Sequence, residues 1–96
     1  MSGPDHLSLL GMSDRTLLLH AGDATHQHYK GGLYKLLGPV KDSETGEVAT
    51  APDGSAWLIY EHCYPHAREL WRRPASEFYE DVRVDGKVQP RFRPLR

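Results

Sequence analysis

The 96-residue chain contains a single cysteine, Cys63. No intramolecular disulfide can form, which favours a reducing compartment such as the cytoplasm. The sequence also lacks any apolar run near the ~18 residues that a membrane-spanning helix needs. Its first 25 residues lack a basic start followed by an apolar stretch, so they are not typical of a secretory signal. We therefore expect a cytoplasmic protein without membrane partners.

A strong overall charge is missing as well, since the formal net charge is −1. The charge is nevertheless uneven: residues 72–96 sum to +3, which leaves −4 for residues 1–71. A basic segment can contact phosphates, although such segments are more often solvated surface. The charge pattern therefore leaves a nucleic-acid partner open without requiring one.

Seven prolines and nine glycines indicate many turns and little long helix. Partly alternating apolar residues predict a strand over 32–40, and dense aromatic and branched residues predict a central strand over 55–64. Further short strands are predicted at 47–51, 69–73, 81–84 and from residue 87. Pro74 fits the first position of a helical turn over 74–79.

These elements predict a mainly β fold, a small and partly open barrel of five to six short strands with one short helical turn. We expect the barrel domain to span residues 26–96. Residues 1–25 are expected to form a partly flexible N-terminal extension, in which 16–20 is a strand or a docking segment.

Several sequence blocks resemble the bacterial family called domain of unknown function 1653. The blocks are His28-Tyr29-Lys30-Gly31-Gly32-Leu33-Tyr34, Leu37-Gly38, Ser43-Glu44-Thr45, Trp71-Arg72-Arg73-Pro74, Phe78-Tyr79-Glu80 and Pro90-Arg91-Phe92. The resemblance covers about residues 26–95, with Arg72 in place of an aliphatic residue and a divergent segment over 48–70. It implies an SH3-like β-barrel and no activity, because none is known for the family.

The spacing of the residues gives little support for a metal site, a cofactor site or a catalytic nucleophile. The candidate metal ligands are His20, His26 and His28, together with His62 and His66 on either side of Pro65. No acidic or cysteine ligand accompanies them at a recognisable spacing, so we predict no metal and no cofactor. Cys63 and His62 are adjacent in a strand and point to opposite faces, so they cannot act as a catalytic pair. We predict no catalytic residues.

The remaining polar residues predict a binding cleft. Its expected members are His28, Lys30, Ser43, Glu44, Trp71, Arg73 and Arg91, with Tyr29 and Tyr34 as further stacking surfaces. Arginine supplies a two-pronged donor for anions. We predict a binding module for a peptide or protein, or for a nucleic acid.

Three alternatives remain open at this point. The first is an enzyme or enzyme subunit that uses His28, Ser43 and Glu44 on a small molecule, which requires the three groups to converge. The second is a structural or oligomerisation domain that forms a homo-oligomer through open edge strands. In the third, the polar residues are structural clamps: Glu44 pairs with Arg73 or Lys30, and His28 satisfies a backbone carbonyl.

Overall fold

The computed structural model describes residues 7–96. In this part of the chain the helical elements are a 3₁₀ turn at Leu7–Leu9, α1 (Asp14–His20) and α2 (Ala75–Phe78). The strands are β1 (His26–His28), β2 (Leu33–Pro39), β3 (Trp57–Tyr64), β4 (Glu69–Pro74), β5 (Asp81–Val84), β6 (Lys87–Pro90) and β7 (Phe92–Pro94). The N-terminal extension is predicted to be partly flexible, and its residues 1–6 lie outside the residues that the structure describes.

Five strands form one antiparallel sheet in the order β4-β3-β2-β1-β7, and β5 pairs with β6 as a separate hairpin. The mainly β prediction is therefore confirmed. The sheet has two edges, β4 and β7, which do not pair with each other. Residues 7–96 thus form an open sheet, and the closed SH3-like barrel is not confirmed.

Most of the predicted elements are present. The strands over 32–40, 55–64, 69–73 and 81–84, the return strand from 87, and the helical turn after Pro74 are all confirmed within a few residues. Positive φ angles at Asp85 (51°) and Gly86 (78°) fit the two-residue hairpin turn that this dipeptide predicts. The prediction of a strand over 47–51 was wrong, because this segment makes only isolated bridges, Lys41 with Val48 and Thr50 with Ala56.

The strand interpretation of residues 16–20 was also wrong, because this segment belongs to helix α1. Ser13 caps the helix: its side-chain oxygen accepts a hydrogen bond from the Thr16 backbone N–H at 3.2 Å. The docking interpretation fits, since Leu17 is fully buried. Leu19 lies on the outer side of the helix and is 82% exposed.

The sheet has an apolar cluster on each face. The helix-covered face packs against α1 and the 3₁₀ turn, and its buried members are Leu9, Leu17, Ala21, Ala24, Leu33 and Cys63. The aromatic face packs against α2, and its buried members are Leu58, Tyr60, Phe78 and Phe92. Alternating side chains of β3 enter both clusters, so this strand joins the two halves of the core.

A buried glutamine ties the N-terminal segment to the sheet. The Gln27 side-chain amide nitrogen donates to the carbonyl oxygens of Leu9 (3.3 Å) and Gly31 (3.1 Å). Its oxygen accepts from the Arg93 guanidinium at 2.9 Å. Because buried polar groups need partners, these contacts hold the 3₁₀ turn, the Gly31 turn and β7 in fixed positions.

Candidate functional site

The strand register sorts the side chains of the sheet, because residues directly opposite each other project from the same face. The rows on the aromatic face are Tyr34 with His62 and Glu69, Leu36 with Tyr60 and Trp71, and Leu58 with Arg73. Helix α2 packs on this face through Phe78, which contacts Tyr60 and Phe92. On β4 the Trp71 side chain of the same face remains 51% exposed.

The first of these rows, Trp71 and the loop between β3 and β4 form a cleft of about 290 Å³, which we call the ring cleft. It is lined by Tyr34, His62, His66, Ala67, Glu69 and Trp71. The ring centroids of Tyr34 and His62 are 4.9 Å apart, and those of His62 and His66 are 5.8 Å apart. Nδ1 of His62 donates to the carbonyl oxygen of Ala67 at 3.3 Å, which holds the 65–68 loop over the sheet. Trp71 is 51% exposed and forms the outer wall.

The ring cleft has one carboxylate among its lining residues, that of Glu69. Burial raises the pKa of Tyr34, and the Tyr60 hydroxyl nearby adds to the rise, while the positive charge of Arg73 opposes it. The Tyr34 phenol is therefore protonated at neutral pH and can donate a hydrogen bond. The site combines aromatic rings, a neutral hydroxyl and a negative charge.

His28 and Lys30 lie beside this cleft. The His28 ring is 6.0 Å from Tyr34 and 4.9 Å from Phe92, and its Nδ1 accepts a hydrogen bond from the Lys30 backbone N–H at 3.2 Å. Both residues line a second, larger depression of about 520 Å³, together with Leu7 and Tyr34. Tyr34 lies in both depressions, so the predicted His28–Lys30 segment adjoins the ring cleft.

Residues 24–94 match the family described as Protein of unknown function (DUF1653). The chain belongs to this family. No match was found among curated proteins or among solved structures. In this DUF1653 chain the matched region begins just before β1 and ends with β7, so it contains the entire sheet and the ring cleft. No helix within residues 7–96 of the DUF1653 chain combines the length and apolarity needed to cross a membrane.

Ser43 and Glu44 lie in the exposed turn that follows β2, whereas His28 and Lys30 precede this strand. A strand of this length spans about 20 Å. Asp42 holds the turn, since its Oδ1 accepts from the backbone N–H groups of Glu44 (2.8 Å) and Thr45 (3.3 Å). In residues 7–96 of the DUF1653 chain, Glu44 forms no salt bridge with Arg73 or Lys30. The strand thus separates His28 from Ser43 and Glu44, which the enzyme alternative needs together.

The two predicted arginines have different surroundings. Arg73 lies on the aromatic face, where its Nε donates to the Tyr60 hydroxyl at 3.3 Å and its guanidinium is 5.9 Å from the Phe92 ring. Arg91 donates to the Glu77 carbonyl at 3.1 Å and to the Glu80 carboxylate at 3.0 Å. These contacts make Arg91 a clamp between α2 and β7 rather than a residue of the ring cleft.

Of the predicted site residues, then, Trp71 lines the ring cleft of the DUF1653 chain and His28 and Lys30 adjoin it. Sequence reasoning missed Glu69, His62 and His66 as its members. A signal for Glu69 was available, because the period of two in strand 69–73 puts it on the same face as Trp71. The sequence analysis considered His66 only as a metal ligand, and His62 only as a metal ligand or as a catalytic partner of Cys63.

A separate polar cluster lies near Cys63. Ligand atoms of Asp23, Glu61 and Cys63 lie within 4.8 Å of one another. Arg68 donates to both carboxylates, at 2.7 and 2.8 Å to Asp23 and at 3.0 Å to Glu61. Burial raises the pKa of the Cys63 thiol. A guanidinium already compensates these acids, so the arrangement is an ion-pair network with a protonated thiol.

Acid should weaken folding through Asp23. The hydrogen bond from Arg68 lowers the pKa of Asp23 from 3.8 to about 2. Because the folded-state pKa is the lower one, the stabilisation is present above about pH 4 and is lost as the pH falls towards 2. Melting temperatures measured from pH 5 to pH 2 should fall less in the Asp23→Asn variant than in the wild type. Parallel curves would show that the ion pair does not stabilise the fold.

Proposed function

We propose that this protein is a cytoplasmic binding module that holds a basic side chain of a peptide or protein partner in the ring cleft. The observation that carries the proposal is the combination, in one cleft, of a half-exposed Trp71, the Tyr34 and His62 rings and the Glu69 carboxylate. Aromatic faces attract cations within about 6 Å, and a carboxylate adds a direct ion pair. Lysine and arginine side chains meet both requirements.

The size of the cleft supports a side chain rather than a larger ligand. At about 290 Å³ it lies at the lower limit of the roughly 300–1,000 Å³ that drug-sized ligands occupy. The adjoining depression by His28 and Lys30 would hold neighbouring residues of the same segment. Tyr34 would contact both parts of the partner, since it lies in both depressions.

A nucleic acid is the second candidate, because residues 72–96 carry a net charge of +3. Several of these cations already have partners in the chain. Arg72 stacks on the Trp57 ring at 4.0 Å on the opposite face of the sheet, and Arg93 pairs with Asp14 at 2.9 Å. Glu69 would repel a phosphate in the ring cleft. These contacts favour the peptide.

The test is selection from an immobilised random peptide library with a fixed central lysine, compared with a library that has glutamate at that position. The lysine library should be enriched and the glutamate library should not. Trp71→Ala and Glu69→Gln should each weaken binding of a selected peptide by about two- to thirtyfold, the size of one cation–π contact or one ion pair.

Matched controls separate the cleft from the general surface. Tyr79→Ala removes a 62% exposed aromatic ring and Glu44→Gln an exposed carboxylate, both from outside the ring cleft, so both variants should bind like the wild type. Equal enrichment of the two libraries would overturn the proposal. Retention of the protein on heparin with a steep salt dependence would instead indicate a nucleic-acid partner.

A further inference from the structure

Strand β4 is an edge of the five-stranded sheet, and within residues 7–96 it pairs only with β3. The Ala75 N–H donates to the Ala56 carbonyl at 2.8 Å at the end of this ladder. Since hydrogen-bonded pairs recur at every second residue of an antiparallel ladder, Glu69, Trp71 and Arg73 direct their backbone groups towards β3. The N–H and C=O groups of Leu70 and Arg72 therefore point outwards.

The end of the strand continues this alternation of inward and outward backbone groups. Pro74 occupies the next outward position, where its missing N–H costs the sheet no hydrogen bond. The edge also carries exposed apolar side chains, since Leu70 is 65% exposed and Trp71 is 51% exposed. An edge with free backbone groups and exposed apolar side chains is a template for another strand.

We propose that β4 pairs antiparallel with β4 of a second copy of this chain, so that two sheets join across a two-fold axis at Trp71. In this register Leu70 lies opposite Arg72 of the partner subunit, and the two such pairs supply the backbone hydrogen bonds. Glu69 lies opposite Arg73 of the partner subunit on the aromatic face. The proposal does not rest on the proposed function. It pairs the same Glu69 carboxylate that a basic side chain would bind in the ring cleft, so dimer formation and peptide binding should compete.

The charges of the strand favour this arrangement. Neither Glu69 nor Arg73 has an ion-pair partner within residues 7–96, and Arg73 uses only its Nε in the bond to Tyr60. The guanidinium therefore keeps its terminal nitrogens for a carboxylate. Cross-strand pairs of opposite charge stabilise a sheet, and the two-fold axis forms this pair twice.

The same charges oppose the neighbouring registers. A slip of two residues in one direction places Arg72 opposite Arg72 of the partner subunit. A slip of two in the other direction places it opposite Arg68 of the partner subunit. Like charges directly opposite each other are destabilising. A slip of one residue would bring outward and inward backbone groups together and break the ladder.

The second copy would also reach the ring cleft. Trp71 and its counterpart form a non-hydrogen-bonded pair, the kind in which opposing side chains come closest. Both rings project from the aromatic face. Trp71 of the partner subunit would therefore extend the outer wall of each ring cleft.

The first experiment is sedimentation of the full chain over a concentration series. Leu70→Lys would set a cation against Arg72 of the partner subunit and should raise the dimer dissociation constant about tenfold. Leu70→Glu would set an anion there and should lower it about tenfold. Leu19→Lys and Leu19→Glu make the same changes at an 82% exposed leucine of α1 and should have no effect. A wild-type chain that stays monomeric to millimolar concentration, or equal effects of both charges at Leu70, would overturn the proposal.

Oxidative crosslinking tests the register. Opposing residues of a non-hydrogen-bonded pair have Cα atoms about 4.5 Å apart, within the disulfide range of 4.4–6.8 Å. Trp71→Cys should therefore crosslink to a covalent dimer under mild oxidation, while Leu70→Cys should not. The native Cys63 is buried and should contribute little background. Faster crosslinking of Leu70→Cys would overturn the Trp71-centred register.

Discussion

Phe78→Ala should lower the free energy of unfolding by about 3–5 kcal/mol, enough to remove most of the stability of so small a domain. The ring is 1% exposed and stacks on Phe92 with centroids 4.2 Å apart and planes at 5°. It also meets Tyr60 edge-on at 5.6 Å, so its loss opens a void between α2 and β3. The measurement is thermal unfolding followed by circular dichroism, with an expected fall in melting temperature of about 15 °C or more.

The neighbouring residue is the control for this variant. Tyr79 follows Phe78 at the end of the same short helix but is 62% exposed. Tyr79→Ala should change the unfolding free energy by less than about 1 kcal/mol. Similar losses in both variants would mean that α2 is held by its backbone rather than by the Phe78 ring.

Leu17→Ala should cost about 2–5 kcal/mol, because the side chain is fully buried in the cluster on the helix-covered face. If α1 is integral to the fold, denaturant unfolding should remain a single transition with a lower midpoint. Leu19→Ala, at the 82% exposed position of the same helix, should leave the midpoint nearly unchanged. A separate early transition in Leu17→Ala would show that the N-terminal segment unfolds independently of the sheet.

Local sequence patterns were enough to predict the strands of four or more residues. Alternating and branched residues identified β2, β3 and β4, and Asp85-Gly86 identified the β5–β6 hairpin. Strands β1 and β7 escaped because each has three residues, and their pairing joins His28 to Phe92 across most of the chain. Nor does a count of strands reveal whether the two edges of a sheet meet, and here they do not.

The leucine-rich segment in α1 shows a second limit. A short apolar run fits a strand or a helix equally well. The deciding features are the Ser13 cap and the burial of Leu17 in the cluster that also contains Leu33, and the second of these depends on the tertiary structure.

The candidate site was predicted in part for similar reasons. Trp71 is recognisable as an aromatic residue in a strand, and His28 and Lys30 come from a conspicuous block. The turn carrying Ser43 and Glu44 is equally conspicuous, but β2 places it away from them. His62 and His66 meet in the ring cleft because β3 and the following loop fold back over the sheet, which no local spacing indicates.

The closed base of the β5–β6 hairpin has a consequence for how this chain can vary. The Arg91 backbone N–H donates to the Glu80 carbonyl at 2.9 Å, and the Arg91 side chain fastens the same junction, so the hairpin leaves and rejoins the body at one point. Its length is therefore decoupled from the five-stranded sheet. Insertions at the Asp85-Gly86 tip should be tolerated, which makes the tip a suitable place to graft an epitope or a fluorescent reporter.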